Sequence, residues 1–365
     1  MRLFSDDSAC VIDPYLRYAF ALAEQGRGTV APNPLVGCAI VLEGAIVGGG
    51  WHRRAGEPHA EVLALRSAGD AARGATAYVT LEPCSHHGRT PPCTEALIEA
   101  GVVRVVIGMP DPSPAAGGGA GVLEAAGVDV VFAEDPAPFE SLNEGWLMVL
   151  RAGRPWVTAK VAVSLDGRVS AAPGVRSRIS GDESGAITMR LRATSDAVLV
   201  GAGTALVDDP ALTVREADGA PAPHQPLRVI LAGERDVSGA SCVGDGLGPT
   251  AILTPEDGAC PAAGPGCDVV TYPRSTGING ALEALAARGV NRVLAEPGPR
   301  LFTSLWDAGA IDELVLVHAG AVAGGDAPAL YGGPGCGPVP ELHSSMKAVE
   351  AGVSGDDAVT VWRPR

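Results

Sequence analysis

The chain has 365 residues, 46% of them hydrophobic, which predicts more than one domain with its own core. Its formal net charge of −15, with no run of lysine or arginine, argues against nucleic-acid partners, because phosphate neutralisation supplies most non-specific affinity. No signal-peptide pattern or apolar run of about 20 residues is visible. We therefore expect a cytoplasmic protein that acts on a small molecule and has no membrane partner. A homo-oligomer is compatible with the sequence, which leaves the oligomeric state open.

The first part of the chain alternates predicted strands and helices. Residues 38–42 and 45–49 predict a hairpin around Glu43 and Gly44. Helices are then predicted at 59–67, 94–100 and 120–126, and strands at 76–81, 103–108 and 128–132. This alternation predicts a largely parallel sheet with helices on both faces.

One histidine and two cysteines in this part have the chemistry of a catalytic zinc site. His59 begins a predicted helix, and Cys84 and Cys93 bracket a strand-to-helix loop. One imidazole and two thiolates leave the fourth tetrahedral position to water. Glu61, two residues after the histidine, is the candidate proton carrier that delivers a proton to a leaving amine.

The spacing of the cysteines departs from the general deaminase pattern. Zinc base deaminases carry H-x-E followed by P-C-x-x-C, whereas eight residues separate Cys84 from Cys93 here. A closed structural zinc site is the alternative, with His86 or His87 as its fourth ligand.

A change of pattern then separates a second α/β series. The segment EDPAPFESLNEGWLMVLRAGRP contains one amphipathic helical stretch between prolines, which places the domain boundary between 1–148 and 149–365. The elements predicted beyond it are strands at 156–163, 196–200, 227–232, 292–295 and 313–318 and helices at 182–193, 280–288 and 300–308. GAGTAL at 201–206 is only part of a phosphate loop and is interpreted as a turn, while 217–226 and 255–267 are predicted surface loops.

Long motifs resemble one family in both halves. NPLVGCAIV at 33–41, HAEVLALR at 59–66 and YVTLEPCSHHGRTPPCTEALIEAG at 78–101 resemble the deaminase half of the bifunctional riboflavin-biosynthesis deaminase/reductase family. KVAVSLDGR at 160–168, LRATSDAVLVGAGTALVDDPALTVR at 191–215 and LAEPGPRL at 294–301 resemble its reductase half. The resemblance implies a three-layer α/β/α cytidine-deaminase-like domain followed by a dihydrofolate-reductase-like α/β domain.

The resemblance also implies the activity and its cofactors. A Zn2+-dependent hydrolytic deamination of diaminohydroxyphosphoribosylaminopyrimidine would precede NADPH-dependent reduction of the ribosyl group to ribityl. By matching position, His59, Cys84 and Cys93 would bind zinc and Glu61 would shuttle the proton. Asn33 would hold the pyrimidine edge, or act only as a turn residue beside proline. The phosphate would meet His52, Arg53 or Arg89.

In the reductase half the resemblance implies two groups of contacts. Those to the cofactor are Ala162, Thr204, Asp208 and Gly298, and those to substrate are Arg192, Leu212, Arg215 and Glu296. Lys160 and Asp166 lie in the matching KxAxSLDGR motif, where a turn role for Asp166 is the alternative. For Arg192 and Arg215, the alternative is a solvated or salt-bridged arginine on the surface.

The chain departs from the family pattern at Arg176, Arg178 and Gly185, where serine, tryptophan and arginine are usual. Arg178 is a candidate partner for a cofactor phosphate. These departures leave three other functions open. They are a deaminase of a related pyrimidine with an inactive or altered reductase domain, a nucleic-acid base deaminase, which the acidic balance disfavours, and a zinc-stabilised binding module.

Overall fold

The computed structural model describes residues 3, 13–87, 91–113, 117–258, 264, 266–333 and 345–365. The chain divides into two compact units: the described residues from 13 to 151 belong to the first, and Leu3 together with the described residues from 152 onward belongs to the second. Within the described ranges, no helix combines the length and the apolar character needed to span a bilayer.

The first unit contains a five-stranded sheet. Its strands are β1 (Gly37–Leu42), β2 (Ala45–Trp51), β3 (Thr76–Val79), β4 (Arg104–Ile107) and β5 (Asp129–Phe132), in the order β2-β1-β3-β4-β5. Its helices are α1 (Pro14–Glu24), α2 (Ala60–Ala68), α3 (Cys93–Glu99), α4 (Gly119–Ala125), α5 (Ala137–Leu142) and α6 (Glu144–Ala152). Strands β3, β4 and β5 are parallel, whereas β1 pairs antiparallel with both β2 and β3.

Alternation along the strands sends side chains into two separate cores. Cys38, Ala77 and Val105 join the core that includes residues of α2, α3 and α4. Tyr78 and Val106, one position along, pack with residues of α1, α5 and α6 on the other face. The three-layer α/β/α arrangement predicted from the sequence is therefore present.

Two glycines set how closely helices approach this sheet. A Cβ on Gly37 would lie 1.9 Å from the carbonyl oxygen of Ala19 in α1, and one on Gly50 would lie 2.6 Å from the amide nitrogen of Ala64 in α2. Only glycine permits such contacts. The close packing of α2 against β2 fixes the position of the helix that begins directly after His59.

Helix α1 was not among the predicted elements, although its start has a sequence signal. The side chain of Asp13 accepts hydrogen bonds from the amides of Tyr15 and Leu16, and Pro14 is the first helical residue. An N-cap aspartate followed by proline is a recognised helix start. The predicted hairpin and the other strands and helices of this unit are present, with ends that differ by a few residues, except that the single amphipathic helical stretch is divided into α5 and α6 at Asn143.

The second unit contains a nine-stranded sheet. Its strands are β6 (Trp156–Val163), β7 (Ala197–Gly201), β8 (Leu227–Leu231), β9 (Thr250–Pro255), β10 (Cys267–Tyr272), β11 (Arg292–Ala295), β12 (Glu313–His318), β13 (Met346–Ser354) and β14 (Asp357–Pro364). The order is β10-β9-β8-β7-β11-β6-β12-β14-β13, and only the pairs formed by β14 are antiparallel. Its helices are α7 (Asp182–Ala193), α8 (Ala202–Val207), α9 (Gly277–Ala287) and α10 (Pro299–Asp307).

The core of this unit combines strand residues with α9 and α10. Val157 of β6, Leu282 of α9 and Leu305 of α10 belong to one buried cluster. Because β6, β7 and β11 are parallel neighbours, their carboxyl ends meet at one edge of the sheet. That edge carries the candidate residues that follow β7 and β11.

Several elements of this unit differ from the prediction. The sequence predicts a turn at GAGTAL, but Ala202–Val207 forms α8, because the segment follows directly from β7 and packs Ala205 inside. Strands β9, β10, β13 and β14 were not predicted. Residues 217–226 lack a regular element, whereas residues 259–263 and 265 of the other predicted loop lie outside the described residues.

Candidate active site

Three potential metal ligands converge in the first unit. His59 precedes α2 as its N-cap residue, Cys93 is the first residue of α3, and Cys84 lies in the loop after β3. His59 Nδ1 is 3.2 Å from Cys93 Sγ and 3.6 Å from Cys84 Sγ. All three ligand atoms lie within 4.8 Å of one another. One nitrogen and two sulfurs at this separation suit a tetrahedral zinc ion with one open position.

Hydrogen bonds among these three groups shift their pKa values in different directions. The hydrogen bond between Cys84 and Cys93 lowers the pKa of the Cys84 thiol to about 4, with a contribution in the same direction from a hydrogen bond with His59. The same hydrogen bond, together with burial, raises the pKa of Cys93. The hydrogen bond with Cys84 raises the pKa of His59. A divalent cation at this position would favour ionisation of both sulfurs.

Glu61 places a carboxyl group beside this cluster without joining it. It lies in the first turn of α2, is only 3% exposed, and its Oε2 atom is buried without a hydrogen-bond partner in the described structure. Burial raises its pKa, and the charge of His59 offsets part of that effect. A buried acceptor without a partner fits a residue that exchanges protons with a molecule bound at the metal position.

The two neighbouring histidines do not close the ligand set in the described structure. His86 and His87 are both exposed, and His87 Nε2 lies 3.2 Å from Glu95 Oε1. The cluster of metal-binding geometry among the described residues contains His59, Cys84 and Cys93. This arrangement favours a site with an open position over a closed structural site.

Asn33 is held by a histidine near the cluster. Its Nδ2 atom donates to His52 Nε2 at 2.9 Å, and His52 Nδ1 donates to the Pro58 carbonyl oxygen at 3.3 Å. Burial lowers the pKa of His52, which favours the neutral ring that this pattern requires. The His52 and His59 rings are 5.2 Å apart. The sequence motif identified Asn33 but not this partner, because the two residues are far apart along the chain.

The two arginines predicted to contact the substrate phosphate are Arg53 and Arg89. The guanidinium of Arg53 lies 4.7 Å from the centre of the Trp51 ring, on an exposed side chain. Arg89 lies outside the described residues.

In the second unit, two predicted substrate contacts pair with each other. Arg192 Nε donates to Glu296 Oε1 at 2.6 Å, and Arg192 Nη2 donates to Glu296 Oε2 at 2.8 Å. Arg192 also donates to the Thr213 carbonyl oxygen at 2.9 Å. Burial opposes ionisation of Glu296, but the charges of Arg192 and Lys160 leave its pKa lowered. Burial lowers the pKa of Lys160.

Two predicted cofactor contacts also come together. Gly298 is the N-cap residue of α10, and a Cβ at this position would lie 3.1 Å from Thr204 Oγ1 in α8. Ala162 is half-buried on β6, at the neighbouring part of the same sheet. A hydroxyl beside a helix N-terminus is a suitable environment for a phosphate group.

The remaining predicted residues are placed as follows. Asp208 is the C-cap residue of α8, and burial raises its pKa while the charge of Arg176 partly offsets this. Arg178 is exposed and pairs with Asp182. Leu212 is fully buried with a φ of 55°, and Arg215 is exposed. The sequence identified Arg176 only as a departure from the family, and its proximity to Asp208 depends on tertiary structure.

Family models match both units. Residues 12–109 match the cytidine and deoxycytidylate deaminase zinc-binding region, and residues 155–357 match the RibD C-terminal domain. The riboflavin biosynthesis protein RibD of Escherichia coli K12 is 43% identical over 333 residues, which are 88% of this chain and 91% of that protein. RibD of Mycobacterium tuberculosis H37Rv is 43% identical over 327 residues, 88% of this chain and 87% of the relative.

Solved structures show the same similarity. A diaminohydroxyphosphoribosylaminopyrimidine deaminase/5-amino-6-(5-phosphoribosylamino)uracil reductase from Thermotoga maritima has a TM-score of 0.84 at 32% identity, covering 96% of this chain and 98% of that one. Acinetobacter baumannii RibD has a TM-score of 0.81 at 33% identity, with coverage of 96% and 98%.

Proposed function

We propose, from the premise that the chain belongs to the RibD family of riboflavin-biosynthesis proteins, that it catalyses both reactions named for these relatives. Residues 1–148 deaminate diaminohydroxyphosphoribosylaminopyrimidine, and residues 149–365 reduce the ribosyl group of the product to ribityl. The observation that carries the proposal is the convergence of three metal ligands beside the buried, unpartnered carboxyl oxygen of Glu61. We place the enzyme in the cytoplasm, acting on a small molecule.

The deaminase site divides its tasks among a few side chains. His59, Cys84 and Cys93 hold zinc, which when bound supplies the Lewis acidity that activates water. Asn33 holds the edge of the pyrimidine, and His52 keeps the Asn33 amide oriented through its neutral ring. Glu61 takes a proton from the water whose oxygen bonds to the ring carbon and delivers that proton to the ring nitrogen. It then transfers the remaining hydroxyl proton to the amino group, so that the carbon–nitrogen bond breaks, ammonia leaves and the carbonyl forms. Because Glu61 is buried, its carboxyl group exchanges protons with the bound substrate in preference to bulk solvent.

The reductase site positions a cofactor and an open-chain sugar. NADPH, when bound, supplies a hydride for C1 of the ribose. Thr204 and Gly298 bring a hydroxyl and the N-terminus of α10 to the place proposed for cofactor phosphate. Arg192 and Glu296 hold each other in one orientation, so the substrate meets a preformed polar surface.

Mass spectrometry of the products tests both halves at once. The purified chain is incubated with the diaminopyrimidine phosphate, with and without NADPH. We expect the deaminated compound alone without NADPH and the ribityl product with it. Deamination without reduction would favour the alternative of an altered reductase domain, and an unchanged substrate would refute the proposal. Salt-sensitive retention of RNA would instead support the nucleic-acid deaminase that the net charge disfavours.

A further inference from the structure

The residue before the Pro83-Cys84 pair is a buried carboxylate tied to a distant segment. Glu82 is 7% exposed. Its Oε1 atom accepts hydrogen bonds from the amides of Gly118 at 3.1 Å and Ala120 at 2.9 Å, and Oε2 accepts from the amide of Asp111 at 3.0 Å. Three amide donors therefore converge on one carboxylate. Removing a charged acceptor of this kind leaves buried N–H groups without partners.

The backbone on both sides of Cys84 contacts that same segment. A Cβ on Gly119 would lie 1.8 Å from the Pro83 carbonyl oxygen, so the first residue of α4 rests directly on the peptide that leads into Cys84. On the other side, the Ser85 hydroxyl donates to the Gly117 carbonyl oxygen at 3.2 Å. Cys84 is thus held between two contacts with residues 117–119.

Among the three metal ligands, Cys84 is the one without a helix to position it. His59 and Cys93 occupy helix starts, whereas Cys84 lies in irregular structure after β3. Its local ties are to α3: the Thr94 amide donates to the Cys84 carbonyl oxygen at 3.3 Å, and the Cys93 amide donates to Cys84 Sγ at 3.4 Å. The position of this sulfur therefore depends on what holds its backbone.

We propose that Glu82 and Gly119 act as positioning residues for the metal site. Together they form a clamp that docks the start of α4 against the Cys84 loop and sets the place of Cys84 Sγ. The inference rests on the proposed zinc site and adds a segment that contributes no ligand itself. Residues that orient metal ligands typically change metal affinity about 10- to 100-fold when replaced.

A purely structural role would have a different consequence. If Glu82 only caps α4, its loss lowers the stability of the first unit and leaves the ligand geometry of the folded protein unchanged. The spectrum of a bound metal separates these two roles, because it reports on the sulfur positions in the folded protein. Metal affinity does so when it is measured under conditions in which the metal-free variant is fully folded, since metal binding is otherwise coupled to folding.

The test uses the full chain with Glu82→Gln, Gly119→Ala and the control Gly121→Ala. Gly121 lies in the same helix, and a Cβ there meets nothing within 4 Å, so the control adds the same methyl group without the contact. Zinc affinity is measured by competition with a chromogenic chelator, and Co2+ is added to the metal-free protein to record its thiolate charge-transfer and ligand-field bands. Circular dichroism and a cooperative thermal unfolding transition of each metal-free variant show whether the first unit, which carries all three substitutions, remains folded.

We expect Glu82→Gln and Gly119→Ala each to weaken zinc binding about 10- to 100-fold and to alter the Co2+ bands, while Gly121→Ala matches the wild type. Wild-type affinity and spectrum in both test variants, even with reduced thermal stability, would overturn the inference and leave the proposed function intact. Should Gly119→Ala not fold, the conservative Glu82→Gln variant decides alone. A wild-type chain that binds no zinc would overturn the proposed function and the inference together.

Discussion

Replacing Glu61 by glutamine should separate proton transfer from folding and metal binding. The two side chains have the same shape, Glu61 Oε2 has no hydrogen-bond partner in the described structure, and the carbonyl oxygen of a glutamine can keep the side-chain hydrogen bond that Glu61 shares with Cys93. We therefore expect the free energy of unfolding to change by less than about 1 kcal/mol. Loss of a general acid–base group lowers rates by about 100- to 10,000-fold, which corresponds to roughly 3 to 5 kcal/mol of activation free energy.

The assay measures ammonia release from the diaminopyrimidine together with zinc content. Glu95→Gln is the matched control, because Glu95 is an exposed carboxylate of α3 in the same unit and should retain wild-type activity. NADPH binding by the second unit should be unchanged in both variants. Ammonia release near the wild-type rate from a fully zinc-loaded Glu61→Gln protein would refute the assigned role.

The remaining predictions concern metal removal, a buried ion pair and pH. Chelation of the metal should abolish ammonia release and leave NADPH binding unchanged. Added zinc should restore ammonia release. Deamination that persists after complete loss of metal would contradict the proposed zinc site. Glu296→Gln leaves the Arg192 guanidinium without its carboxylate and should lower the free energy of unfolding by about 3 kcal/mol, measured with urea. Asp182→Asn removes only an exposed partner of Arg178 and should cost under about 1 kcal/mol; equal losses in the two variants would be inconsistent with this reasoning. Hydrogen bonds from one hydroxyl and two amides lower the pKa of Asp166 to about 2, so its stabilising contribution is complete well above its ordinary pKa of about 4 and disappears as the pH falls to about 2. The difference in urea midpoint between wild type and Asp166→Asn should shrink over that interval, and a constant difference would rule out this linkage.

The elements of the first unit were largely predictable because their determinants are local. Alternating and helical periodicities identified the hairpin, the three parallel strands and the helices between them. Helix α1 shows that a local signal can still be overlooked, since its Asp13 cap and Pro14 start are both written in the sequence. In the second unit the segment 202–207 was predicted as a turn, because its helix depends on packing against the sheet and not on a strong local pattern.

The sequence by itself determined the chemical identity of the site: the histidine, the two cysteines and the glutamate occur in motifs that restrict the residue types and place two ligands at helix starts. Only the tertiary structure decided which distant groups meet. It joined Asn33 to His52, paired Arg192 with Glu296, and brought residues 117–120 onto the loop that carries Cys84. Residue type and local periodicity are properties of short segments, whereas the distance between segments is set by how sheets and helices pack.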